Sequence, residues 1–154
     1  MIIMKKAKIN YSEDEYHSFR VDLDCYEENL TRRLKMINNS VDMRLKGHMD
    51  KSEINEWIKS LEDWKLRAES LKSLKKKIKN NATIELTDNE YHELIRSIWE
   101  EIEHGKYRLD DYKSGRFSWG EKLIPVETAD IERRIVLYER LEGKKYTLNS
   151  DSNI

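Results

Sequence analysis

Tyr16, Phe19, Leu23, Tyr26, Leu30, Leu34, Ile37, Val41 and Leu45 follow one another at steps of three and four residues. Only a long helix presents such a near-heptad row on one face. Little interrupts it, because the whole chain of 154 residues holds one Pro and five Gly. Asn38-Asn39-Ser40 is the weakest point of this helix and Gly47 its expected end. A second row, Ile54, Trp57, Ile58, Leu61, Trp64, Ala68, Leu71, Leu74 and Ile78, opens behind Asp50-Lys51-Ser52-Glu53. Those four residues have the spacing of a capping box, and Asn80-Asn81 closes the helix. The short link between the two rows implies an antiparallel helical hairpin.

Charged residues make up 38% of the chain, as much as the hydrophobic ones, against about 25% in an average globular protein. That balance suits narrow apolar stripes with wide solvated faces rather than a thick β core. The net charge of −1 gives no bulk electrostatic case for nucleic acid or an anionic membrane. Cys25 is the only cysteine, which excludes an intrachain disulfide or a thiolate zinc site and points to a reducing compartment. The opening Met1-Ile2-Ile3-Met4-Lys5-Lys6 has no apolar stretch of signal-peptide length. No run approaches the roughly 18 apolar residues of a membrane span. A cytoplasmic location without membrane association is therefore expected. Abundant Lys, Asn and Ile with only four Ala suggests an AT-rich genome, and small charged proteins of this kind are common in phages and mobile elements of low-GC bacteria.

The chain echoes itself. Ile9-Asn10-Tyr11-Ser12-Glu13-Asp14-Glu15-Tyr16-His17-Ser18-Phe19 aligns with Ile84-Glu85-Leu86-Thr87-Asp88-Asn89-Glu90-Tyr91-His92-Glu93-Leu94 at an offset of 75. Lys8–Tyr11 and Thr83–Leu86 alternate like short strands. Ser12 and Thr87 then stand as helix caps, with Glu15 and Glu90 three residues on completing capping boxes. Two explanations stay open: internal duplication, or convergence on the residues that any strand running into a capped helix favours.

The third helix is expected from Thr87 to about Gly105, with Leu94, Ile95, Ile98, Trp99 and Ile102 as its stripe. Residues 106–125 read as an irregular connection, broken by Gly115, Gly120 and Pro125. A final helix over about 127–142 turns Ile131, Ile135, Tyr138 and Leu141 inward and stops at Gly143. Lys145–Leu148 reads as a short closing strand. The expected fold class is mainly α: two helical hairpins with a small β element, with or without a duplication behind it. Its parts are residues 1–81, a strand plus the long hairpin; 82–149, a strand plus the second helical pair; and 150–154, a disordered tail. The whole is expected to form one compact unit. The stripe of the first hairpin is broader than one partner helix covers, which suggests a homodimer through it.

Recognisable chemistry is scarce. His17 and His92 hold equivalent places in the echo, but two imidazoles alone make a poor zinc site. Glu101-Ile102-Glu103-His104 contains a Glu-x-x-His step without the second copy that a di-iron bundle needs. Glu100, Glu101, His104, Asp110 and Asp111 are the only candidates for a metal-dependent helical hydrolase, and their spacing is irregular. No nucleophile elbow or phosphate-binding glycine loop is present. Lys72, Lys75, Lys76, Lys77 and Lys79 make the end of the second helix basic, which suits phosphate contact or the negative end of the helix. No catalytic residue, metal ligand or cofactor is assigned.

The segment from Tyr107 to Gly120 is different. It gathers Tyr107, Tyr112, Arg116, Phe117 and Trp119, the residue types that dominate interface hot spots. The sequence therefore points first to a non-catalytic accessory protein that binds a partner protein through these five residues. The alternative reading is that Phe117 and Trp119 only plug the end of the bundle. Behind the accessory reading stand a nucleic-acid-binding regulator with the strand–helix–helix order of ribbon-helix-helix repressors, whose units are much shorter, and the metal-dependent hydrolase.

Overall fold

The computed structural model describes residues 6–47, 50–78 and 83–143. Lys79, the Asn80-Asn81 stop, the strand expected at 145–148 and the tail from 150 lie outside the described residues. The element order is β1 (Lys6–Asn10), α1 (Glu13–Lys46), α2 (Lys51–Lys77), β2 (Thr83–Thr87), α3 (Asp88–Lys113) and α4 (Gly120–Glu142). The fold is mainly α with a small antiparallel sheet, as expected. The described residues divide into two compact units, one reaching Leu94 and the other beginning at Ile95, so α3 contributes to both.

In the first unit the strands β1 and β2 pair antiparallel, with Ile9 opposite Ile84 and Asn10 opposite Thr83. Strand β1 stops one residue short of Tyr11, which is buried and meets Phe19 edge to face at 5.3 Å. Of the three expected capping boxes, the two in the echo form. Ser12 Oγ accepts from Glu15 N while Glu15 Oε1 accepts from Ser12 N. Thr87 Oγ1 and Glu90 Oε1 repeat that exchange at the start of α3. Ile9 and Ile84 are both ladder partners and equivalents in the echo, so the local twofold axis of the ribbon carries each strand residue onto its counterpart 75 places away. Burial keeps the same phase: Phe19 and Leu94, Asp22 and Ser97, and Leu23 and Ile98 are all inaccessible.

Helix α1 runs unbroken through Asn38-Asn39-Ser40 to its cap at Gly47. Its packing partner compensates the weak local propensity there. At the start of α2 the Asp50 carboxylate accepts from Ser52 N and Ser52 Oγ, an Asx-type arrangement in place of the expected bond to Glu53. The tryptophans of the hairpin are covered from within the chain. Arg44 lies over Trp57 at 4.1 Å, and Arg67 and Arg33 lie over Trp64 at 4.3 and 5.6 Å.

The basic end of α2 is engaged by carboxylates. Lys75 Nζ pairs with Asp24 at 2.7 Å and Glu27 at 3.1 Å. Lys77 Nζ and Ser73 Oγ each donate to Glu90 at 2.6 Å. Burial pushes the Glu90 carboxyl up, but the bonds from Lys77, Ser73 and Thr87 outweigh it and hold the group below the usual carboxylate range. The ionised form is thus the one the fold favours. Its stabilisation is complete above the pKa of the unfolded chain and is lost as pH falls through the lower, folded value. Urea midpoints measured from pH 7 to pH 3 should therefore fall more steeply in the parent chain than in Glu90→Gln. Equal slopes would remove this role from Glu90.

The second unit is built on α4 and the part of α3 from Ile95 onward. Helix α3 does not end at Gly105 but continues to Lys113. Gly105 is buried inside it, and a Cβ there would stand 2.9 Å from Ile131 Cγ1 and 2.8 Å from Glu127 Oε1. The missing side chain lets α4 approach α3 closely instead of ending the helix. Arg108 secures the pair, with Nη2 at 2.7 Å from Glu101 Oε1 and 3.0 Å from Glu127 Oε1. Helix α4 begins seven residues earlier than expected and includes Pro125. As the sixth residue of the helix, Pro125 lacks the N–H that would bond the Glu121 carbonyl, and its ring crowds that carbonyl within the first two turns. Ile131 and Leu137 are buried on α4, and Gly143 caps it in the left-handed region at φ 69°.

Candidate functional site: the aromatic turn

With α3 lengthened and α4 started early, the expected irregular stretch shrinks to residues 114–119. Ser114 N donates to the Asp110 carbonyl at 3.0 Å, and Ser114 Oγ donates to the Asp111 carbonyl at 2.6 Å, which closes α3. Gly115 then takes φ 75°, a region that side chains with a Cβ disfavour. Nothing lies within 4 Å of a Cβ built at Gly115, so the backbone alone decides a substitution. Gly115→Ala should lower stability by about 1 kcal/mol. A melting temperature unchanged by this exchange would mean that the turn does not need the left-handed residue.

Gly120 makes the other demand. A Cβ there would sit 3.1 Å from Tyr112 Cα and 3.2 Å from its carbonyl oxygen, so the first turn of α4 rests on the backbone of α3. This close approach gathers the aromatic rings. Phe117 stacks on Trp119 with centroids 4.8 Å apart and planes 20° from parallel. Tyr112 meets Trp119 edge to face at 5.9 Å. The Arg116 guanidinium lies over Phe117 at 5.9 Å. Four of the five residues singled out in the sequence thus form one cluster. Tyr107 stands five residues before Tyr112 on α3, about 140° round the helix, and is 69% exposed.

The rings of the cluster stay partly open to solvent. Trp119 is 51% and Phe117 36% exposed. Beside them opens a cavity of about 410 Å³, lined by Tyr112, Lys113, Gly115, Phe117, Ser118, Glu121 and Ile124. Glu121 and Ile124 lie beyond the segment from Tyr107 to Gly120 that the sequence singles out. A periodic signal does exist: Ile98, Ile102, Gly105, Leu109 and Tyr112 continue the steps of four and three, which carries α3 through Gly105 to the turn.

The other candidate residues are dispersed. His17, His92, His104, Asp110 and Asp111 are exposed, and Glu101 is held by Arg108. Among the described residues no three His, Cys, Asp or Glu side chains gather closely enough to hold a metal ion. No described helix is long and apolar enough to cross a membrane. No family model, curated protein or solved structure matches the chain.

Proposed function

We propose that this chain is a non-catalytic accessory protein that works by binding a partner protein at the α3–α4 turn. The observation that carries this reading is the stacked, exposed Phe117–Trp119 pair. A chain that only needed to close its bundle would bury those rings, since each aromatic side chain of this size removes 150–250 Å² from water when buried. Here the rings are held in a fixed geometry by Tyr112 and Gly120 yet left open. Pre-ordered aromatic anchors lose little side-chain entropy when a partner covers them.

The composition that suggests a phage or mobile-element origin fits such a role. A homodimer through the long hairpin has less to support it, because Trp57 and Trp64 are already covered by arginines of the same chain. The nucleic-acid alternative loses part of its basic surface to the pairs of Lys75 and Lys77.

A photo-reactive amino acid placed at position 117, and in a control at exposed Val21, tests the reading in lysate. One protein species cross-linked from 117 and not from 21 is the expected result. Trp119→Ala should abolish that cross-link while lowering stability by about 0.5–1.5 kcal/mol, the worth of an aromatic pair, so the chain stays folded. Identical cross-linking patterns from both positions would remove the site.

A further inference from the structure

The turn between α3 and α4 combines aromatic faces with hydrogen-bond donors that nothing in the chain uses. Tyr112 and Phe117 line the half-open cavity. Trp119 stacks on Phe117, meets Tyr112 edge to face and is 51% exposed. Among the described residues no hydrogen bond or ion pair engages the Tyr112 or Ser118 hydroxyl, the Trp119 indole N–H or the Lys113 ammonium. Tyr112, Lys113 and Ser118 all line the cavity, and Glu121 supplies the only carboxylate in that lining.

Each way of recognising a protein segment asks for a different surface. An amphipathic helix needs a continuous apolar groove, and this cavity exposes more polar than apolar surface. An added strand needs a free sheet edge, and the turn joins two helices. A phosphorylated or acidic motif needs a cluster of arginines. Here Arg116 lies over Phe117, and Glu121 brings a negative charge into the lining. A polyproline II segment needs flat aromatic faces together with donors, because its rings are apolar while its backbone makes no internal hydrogen bonds and leaves its carbonyls unpaired. We infer that the turn binds a proline-rich segment of a partner protein in the polyproline II conformation. This names the ligand class for the partner-binding reading and rests on it. The pyrrolidine rings pack on Phe117, Trp119 and Tyr112, and the carbonyls between them accept from the Tyr112, Ser118 and Trp119 donors. Such a segment is already extended before it binds and loses little entropy on docking, which suits a half-open site.

The test pans the full-length chain against a display library of random twelve-residue peptides. The expected consensus carries two prolines separated by two residues, the spacing that returns a polyproline II helix to the same face. A synthetic peptide of that consensus should lose about tenfold or more in affinity when both prolines become Ala, which removes its pre-ordering. Phe117→Ala should weaken binding of the unaltered peptide by a similar factor, about tenfold, as the loss of an interface anchor does. Trp119→Phe keeps an aromatic ring on the stack and removes the indole N–H, so it should bind about fivefold more weakly, the worth of one hydrogen bond. Val21→Ala, at an exposed position on α1, should bind as the parent does. Circular dichroism at the assay temperature shows that each variant is folded. No consensus, a consensus without proline, or a proline-rich peptide that binds Phe117→Ala and Trp119→Phe as tightly as the parent overturns the inference. If the cross-link from position 117 still captures one partner in that case, binding at the turn stands and only the ligand class falls. If the cross-link fails as well, both fall.

Discussion

Glu93→Ala is expected to destabilise the chain by about 3–5 kcal/mol in urea unfolding, the usual consequence of removing one partner from a buried ion pair. Glu93 lies on the first turns of α3 with only 3% of its side chain exposed. Its Oε1 accepts from Arg67 Nε at 3.0 Å, and its Oε2 accepts from the Tyr26 hydroxyl. That hydroxyl in turn accepts from Arg67 Nη2. One carboxylate therefore satisfies a guanidinium from α2 and a phenol from α1. Burial first, and then the Glu93 carboxylate, raise the Tyr26 phenol above its usual range, so it remains a neutral donor. Without Glu93 the Arg67 cation stays partly buried against Trp64 and Tyr26 with no counter-charge from this carboxylate. Tyr26→Phe should cost less, about 1–3 kcal/mol, because the Arg67–Glu93 pair survives it. A Glu93→Ala, Arg67→Met double variant should regain part of the loss, since it removes the stranded charge along with its partner. A double variant no more stable than Glu93→Ala alone would contradict that account.

The second large effect is expected at Gly105. Gly105→Val places atoms where Ile131 and Glu127 already stand, under 3 Å from the new Cβ. Overpacking of this kind typically costs about 1–3 kcal/mol, and here it also pushes Glu127 away from Arg108. Burial lowers the Arg108 guanidinium, but Glu127 and Glu101 hold it above even its ordinary range. It stays charged and would lose one of two counter-charges. The loss should appear in the melting temperature. It should also appear at the turn, because α4 carries Glu121 and Ile124 to the cavity. A Gly105→Val chain that melts normally would show that the α3–α4 approach is not tight at this point. Gly105→Ala should lie between the two, because Ile131 has rotamer freedom to move aside.

Much of the fold was legible because it is local. Ser12 with Glu15 and Thr87 with Glu90 announce two helix starts within four residues each. The rows at steps of three and four mark α1 and α2 along their length. The errors came from glycine and proline. Gly105 and Gly120 have the same composition signal as Gly115, but the first two meet a neighbouring helix and only the third adopts a positive φ. A one-letter code cannot separate a glycine that turns the chain from one that admits a neighbour.

The candidate site was half legible for the same reason. Its aromatic residues stood together in the sequence, and their residue types marked them. Whether Phe117 and Trp119 close the bundle or face outward depended on the length of α3 and the starting point of α4. Glu121 and Ile124 join the site only once those two helices meet.

The sequence by itself determined the capped starts of α1 and α3, the apolar rows of α1 and α2 and the two strands, because hydrogen bonds over three or four residues and apolar periodicity are properties of a short stretch of chain. Only the tertiary structure decided which polar groups satisfy one another, as Tyr26, Arg67 and Glu93 do, and which aromatic rings remain uncovered. Those outcomes depend on the close approach of segments far apart in the chain, where a single missing Cβ determines how near two helices can come.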